Sequence, residues 1–355
     1  MDASVPFYDS RFGSAAIKVL IVGNTVPMLV AFLVWLERRV AAWVQDRVGP
    51  NRVGPAGLLQ SFADLLKFVF KEDVLPGHVN KTMYLLAPCL AVIPPLVVMS
   101  VIPMADRVAI ADVDTGILAA FAFSSIGVYG LALGGWSSNS KYALIGGVRA
   151  SAQLVSYEIC LGLAALGVFV VAGSLRLHDV VAGQADGLLI QGTVHDGFLA
   201  RFLDWNLWKQ PLGAVIFLIA AFAETNRTPF DLPEAESELC AGYHVEYSSM
   251  KFALFFLGEY AAMVAMSCLF TVLYLGGWTL FGLEHSFADS PVLQSSLQLG
   301  IFVAKVMALL FVFIWVRWTI PRFRYDQLMD IGWKRLLPAT IVWLAFTALA
   351  VWAVR

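Results

Sequence analysis

From one end of the chain to the other, apolar runs of about twenty residues alternate with shorter polar stretches, which is the length a helix needs to cross a bilayer. Such runs centre near 15–36, 84–102, 116–136, 154–172, 211–223, 252–275, 297–320 and 336–354. The fifth is short and has room to begin nearer Trp205. No polar block between them exceeds a loop, so the pattern predicts an all-α polytopic membrane bundle with about eight transmembrane helices, forming one membrane domain over 1–355. One polar stretch departs from this. In GLLQSFADLLKFVFK, Gln60, Asp64, Lys67 and Lys71 fall on one helical stripe beside Leu58, Leu59, Phe62, Leu65, Leu66 and Val69. That spacing predicts an amphipathic helix over 57–70, lying in the membrane surface. A lone surface helix would carry basic residues on its polar face, so the Asp64/Lys67 pair points to a partner or a polar ligand.

Composition agrees: 59% of residues are hydrophobic and 14% charged, and the mean hydropathy is +0.74. A formal net charge of −2 argues against a nucleic-acid binder. What matters is where the charges fall. With an even number of spans both termini share one side, and that side's loops and termini hold only Arg11, Arg107, Arg176, Arg201, Lys209 and Arg355. Every other Lys and Arg except Lys18 and Lys305, which fall in spans, lies in the opposite loops. The basic loops are therefore expected to be cytoplasmic and both termini periplasmic, in a bacterial inner membrane. The first apolar run lacks a basic leader and a cleavage site and is expected to be retained as a helix. The Gly-rich stretch 173–210 is expected to be irregular. Cys89, Cys160, Cys240 and Cys268 are too scattered for a metal or redox motif and are read as packing residues. No zinc motif, nucleophile elbow or Walker loop is present.

Charged groups near membrane depth are the next signal, because an ionised side chain in hydrocarbon costs roughly 2.5–3.5 kcal/mol even on a lenient scale. Glu37 ends the first run, Glu158 opens the fourth and Glu224 ends the fifth, whereas Glu259 and Lys305 lie inside the sixth and seventh. A carboxylate snorkelling at a helix end accounts for any single one of the first three. The last two are too deep for that, and the set reads as a buried polar path. Burial keeps Glu and Lys near neutrality, so each could take up and release protons.

The cytoplasmic loops are dense in Arg, Glu, Pro, Gly and aromatics. The first repeats Arg-Val-Gly-Pro at 47–50 and 52–55; the third packs Glu224, Asp231, Glu234, Glu236, Glu238 and Glu246 against only Arg227 and Lys251, against the positive-inside trend. Glu234 and Glu238 would share a helix face and repel. A solvated acidic loop awaiting a basic partner fits this composition equally well.

These segments together resemble one family. WLERR at 35–39, QDRVGPNRVGP, GLLQSFADLLKF, WSSNSKYALIGGVRASAQLVSYEI, AETNRTPFDLPEAESELCAGYHVEYSSMKFALFFLGEY and WVRWTIPRFRYDQLMDIGWKRLLP are similar to the H-type membrane subunits of bacterial respiratory NADH–quinone oxidoreductase, or complex I, the counterparts of its first mitochondrially encoded subunit. The strings are long and run nearly the full chain. The resemblance implies a subunit without a redox centre of its own, joining the membrane arm to the hydrophilic arm and forming much of the tunnel by which quinone, expected to be ubiquinone, reaches the terminal iron–sulfur cluster of a neighbouring subunit. FMN and the iron–sulfur clusters would belong to partner subunits, and the contacts of this chain would be those subunits, quinone and membrane lipids.

Carried over by position, Glu37, Arg38, Asp64, Lys67, Glu234, Glu236, Glu238 and Arg317 would line or flank the quinone tunnel. Glu158, Glu224, Glu246 and Glu259 would form an acidic proton path towards the pumping subunits. Lys305 joins that path on its depth alone, not through the resemblance. Two other functions compete: an ion or proton secondary transporter, against which stands the lack of repeated broken helices, and a membrane anchor of a related hydrogenase-type complex, distinguished by which activity co-purifies with the chain.

Overall fold

The computed structural model describes residues 11–185, 204–231, 242–280 and 290–354. Among the described residues the regular elements are all helices, with only an isolated antiparallel bridge between Ala105 and Val108 besides them. Seven helices are long and apolar enough to cross a membrane, and an eighth, apolar but only 14 residues long, spans Pro211–Glu224. This is the polytopic helical bundle that the periodicity predicts. The chain divides into two compact units, residues 1–67 and 68–355.

The first unit is built on α1 (Arg11–Val44). Val26, Val30, Leu33, Glu37 and Val40 recur every three or four positions and are all buried, so Glu37 sits on the covered stripe of an apolar helix. Past α1 the chain turns through the two Arg-Val-Gly-Pro repeats. Gly57 has φ +75°, and a Cβ there would fall 2.2 Å from the Pro50 carbonyl oxygen, so only glycine closes this turn. That is why the surface helix, expected from 57, begins later: α2 runs Gln60–Phe70, and Lys71 lies just past its end. Phe62, Leu65, Leu66 and Val69 on α2 are exposed, as a helix resting in lipid requires.

In the second unit α3 (Lys81–Val101) packs against α4 (Gly116–Ser137), and α5 (Lys141–Ala172) follows. A short helix α6 (Leu177–Ala185) forms where an irregular stretch was expected, and a turn at Asn206–Lys209 leads into α7 (Pro211–Glu224). Then come α8 (Ser249–Tyr274), α9 (Pro291–Thr319) and α10 (Tyr325–Asp330), which continues through one π-helical turn into α11 (Leu337–Val354).

Prolines shape the middle of this bundle. Pro94 and Pro95 inside α3 have no N–H to give the carbonyls of Leu90 and Ala91. The backbone is approached closely there: a Cβ on Gly258 of α8 would lie 2.7 Å from the Ala91 oxygen, and one on Gly130 of α4 would lie 2.8 Å from the Ala91 nitrogen. Small residues thus let two helices close on the weakened point of a third. Beside it Tyr84, Tyr243, Tyr247 and Phe255 form a buried aromatic cluster, with Tyr84 and Tyr247 stacked at 4.0 Å.

Candidate functional site

Where α3, α4, α5 and α8 meet the end of α7, they leave a cavity of about 70 Å³. Most of its wall is apolar, from Pro94, Pro95 and Val98 of α3 to Leu154 of α5 and Met266 of α8. Into this wall are set Ser124, Glu224, Thr225, Asn226 and Glu259. Two carboxyls from two helices therefore face one small, mostly apolar space.

Each acid is held differently. Glu259, on the buried side of α8, accepts a hydrogen bond of 3.0 Å from the Tyr243 hydroxyl. Glu224 ends α7, and its Oε2 is buried without a hydrogen-bond partner. Glu158, on α5, pairs with the hydroxyl of Ser125 on α4 and lies close enough to Glu224 for their charges to interact. Three carboxyls of the expected path are thus brought together around the end of one short helix.

That helix end is fixed by a neighbour. The Nε2 of Gln153, a fully buried residue of α5, donates to the backbone oxygens of Ala223 at 2.9 Å and Phe230 at 2.8 Å, and lies 3.3 Å from Asn226 Oδ1. Buried carbonyls cannot be left to lipid, and here a side chain from the adjacent helix serves one at the end of α7, which also accepts from the Asn226 N–H at 3.3 Å, and one in the loop beyond it.

The remaining expected residues are spread. Glu246 is half-buried before α8, and its backbone carbonyl accepts from the Tyr84 hydroxyl at 2.6 Å. Close by, burial pushes the Tyr247 hydroxyl up to about 12, with the Ser137 hydrogen bond opposing the rise. Lys305 is not at the cavity: its Nζ donates to the carbonyls of Leu275, Gly277 and Thr279 at 2.6, 3.1 and 2.5 Å and sits over the Trp205 ring. Arg317, in the last turn of α9, has its guanidinium 5.8 Å from the Trp318 ring. Glu234, Glu236 and Glu238, like Cys240, lie outside the described residues, although Asp231 just before them is paired to Arg322 at 2.9 Å.

In the first unit, Arg38 of α1 and Asp64 of α2 form an ion pair of 2.6 Å, and Gln60 Nε2 donates to the other Asp64 oxygen at 3.1 Å. Trp35 Nε1 donates to the Ala56 carbonyl at 3.1 Å, tying the glycine turn to α1. Lys67 is exposed on α2, and Glu37 stays on the buried stripe of α1.

Sequence reading found the acids and missed Tyr243, Gln153, Asn226 and Ser125. Gln153 carried a signal, as a lone amide among the small and apolar residues of α5. The others are neutral hydroxyls and amides whose importance only their contacts reveal. Among the described residues, no group of three or more potential metal ligands occurs.

Fold and site together define a multi-pass helical membrane protein with carboxyls gathered at the end of a short, buried helix. Residues 17–348 match the family model described as NADH dehydrogenase. The chain is 48% identical to the second H-type subunit of NADH-quinone oxidoreductase from Koribacter versatilis, covering 95% of this chain and 96% of that one. It is 46% identical to NADH-quinone oxidoreductase subunit 8 of Rhodothermus marinus over 96% of this chain and 97% of that protein, and 47% identical to the H-type subunit of Salinibacter ruber over 95% of each. The chain belongs to this family, the H-type subunits of NADH–quinone oxidoreductase.

Proposed function

We propose that this chain, as a subunit of NADH–quinone oxidoreductase, couples quinone reduction to proton translocation through the carboxyls around its central cavity. The observation that carries the reading is that Glu224 and Glu259, from two helices, face the same cavity while Glu158 is near enough to feel the charge of Glu224. In a mostly apolar wall the charge of one acid acts strongly on the next, because little solvent screens it. A proton leaving one acid therefore lowers the cost of protonating its neighbour, and a chain of such acids passes a charge change along.

The charge change would start at quinone. The pair Arg38–Asp64, supported by Gln60, offers a charged contact for the quinone head, and the exposed apolar residues of α2 offer a surface for its isoprenoid tail. Arginine suits this role, since its planar donors bind oxygen without surrendering a proton. By the resemblance, Glu37, Lys67, Glu234, Glu236, Glu238 and Arg317 line the same route and Glu246 extends the acid path. FMN and the iron–sulfur clusters would belong to partner subunits, the chain's partners being the other membrane-arm and hydrophilic-arm subunits, and this chain supplies passage and coupling. The location that follows is the bacterial cell membrane, with the basic loops cytoplasmic and both termini outside.

The test is the assembled enzyme in vesicles carrying Glu224→Gln or Glu259→Gln. Each amide keeps the shape but cannot carry a proton. We expect NADH oxidation by an artificial acceptor that bypasses quinone to be unchanged, and quinone reduction with proton uptake to fall at least tenfold. Wild-type rate and stoichiometry in both variants would overturn the acidic path.

A further inference from the structure

Asn226 lines the cavity beside Glu224, yet its backbone offers a bland reason for its presence. Its φ is +49°, a left-handed conformation that asparagine adopts more readily than most residues. If the backbone were the whole reason, the amide would be incidental. The side chain says otherwise. Gln153 Nε2 has three oxygens around it, from Ala223, Phe230 and Asn226. Only a donor suits that position, which sets the orientation of the Gln153 amide; its Oε1 accordingly lies buried without a partner. The atom of Asn226 facing it must then be the acceptor, Oδ1, leaving Nδ2 as the part of the amide available to the cavity.

The cavity is suited to what an amide donor would hold. Its volume of about 70 Å³ exceeds the ~10–15 Å³ that one water requires, and it has polar groups from three helices and the loop after α7. The structure assigns no direct hydrogen bond from Asn226 to either carboxyl. We propose that Asn226, oriented by Gln153, is a positioning residue whose Nδ2 donates to a water bridging Glu224 and Glu259. The inference rests on the proposed acidic path and adds the element that joins its two acids. A donor there fixes the water's oxygen, so that the water's hydrogens and remaining lone pair are directed at the carboxyls. No proton passes through the amide itself.

The left-handed backbone makes the experiment clean. Asn226→Gly satisfies φ +49° with less strain than asparagine and removes only the amide, while Asn226→Asp keeps the shape and replaces the donor by an acceptor. Both are measured in the assembled enzyme in vesicles, beside Glu224→Gln. We expect both Asn226 variants to keep full artificial-acceptor activity and assembly, and to lose at least fivefold in quinone-linked proton translocation. The infrared carbonyl band assigned to Glu224, by its absence in Glu224→Gln, should shift in Asn226→Gly, which a purely structural role would not produce. If Asn226→Gly pumps as wild type with an unshifted band while Glu224→Gln is impaired, the positioning role is overturned and the path stands. If Glu224→Gln is itself silent, the path reading fails first.

Discussion

Lys305 Nζ donates to the Leu275 carbonyl at 2.6 Å, capping the end of α8 from a neighbouring helix. With Gly277 and Thr279 also accepting and the Trp205 ring at 4.4 Å, the ammonium is clamped among the carbonyls of the turn that follows α8. Depth alone places Lys305 on the proton path, and these contacts suit it equally to a structural task. Lys305→Met is expected to lower the stability of the complex by about 2 kcal/mol, as loss of charged hydrogen bonds does. Thermal inactivation should show this, with protons moved per electron unchanged; an altered ratio at normal stability would return Lys305 to the path.

Gln153 permits a second test of packing against chemistry. Gln153→Leu removes the donor that serves Ala223 and Phe230, taking a hydrogen bond from each carbonyl and leaving Ala223 with the Asn226 N–H at 3.3 Å. Each costs about 1–3 kcal/mol. We expect reduced yield of assembled complex and an earlier melting midpoint, larger than the effect of Ser151→Ala two residues away, whose hydroxyl bonds only within its own helix.

These two residues show what the sequence could and could not disclose. The order of the long apolar helices follows from hydrophobic length alone, and the acids stood out because charge in hydrocarbon is costly. Boundaries were less readable: α5 begins at Lys141, well before the run near 154, because Ala143, Gly146, Gly147 and Ala150 pack tightly without being strongly apolar. Lys305 and Glu259 look alike in hydropathy, yet one caps a helix and the other faces a cavity. That difference lies in which helices meet, and no local pattern encodes it.

Tyr243 is expected to matter through Glu259. Its hydroxyl donates to Glu259 Oε1 at 3.0 Å, and both residues are buried. Tyr243→Phe keeps the ring in its aromatic cluster and deletes the donor. Coupled turnover should fall several-fold with assembly intact, measured as quinone-dependent proton uptake against artificial-acceptor activity.

Outside the spans, Arg176 grips Asp112 with Nε donating at 2.9 Å and a second donor from the same guanidinium. That hydrogen bond holds the Asp112 carboxyl below the usual carboxylate range. A lowered carboxyl contributes stability that is present above its ordinary value and lost as pH falls through the lowered one. Asp112→Asn should therefore lower the melting midpoint slightly at neutral pH, only slightly because both side chains are substantially exposed, and converge with the parent at acid pH, so that the acid side of a plot of melting midpoint against pH is flatter. An unchanged acid limb would remove this pair from the protein's acid sensitivity.

The quinone route makes the most discriminating prediction, because its substrate has two unlike ends. On the proposed function, the isoprenoid tail stays in hydrocarbon, while the head would leave the membrane to meet an iron–sulfur cluster held by a partner. A path with one apolar end and one charged end is therefore required. Within the first unit, α2 supplies both: Phe62 and Leu65 are exposed apolar side chains, and Asp64 between them in sequence is turned to Arg38. Enlarging the tail surface by Phe62→Trp or Leu65→Trp should raise the apparent KM for a long-tailed quinone more than for a short-tailed analogue. Arg38→Ala, which removes the charged contact and leaves Asp64 to Gln60 alone, should depress turnover with both, because the head is common to them. Steady-state kinetics of the assembled enzyme with the two quinones decides it. Equal effects of the Trp variants on both substrates would show that the tail does not pass along α2, whatever Arg38 proves to do.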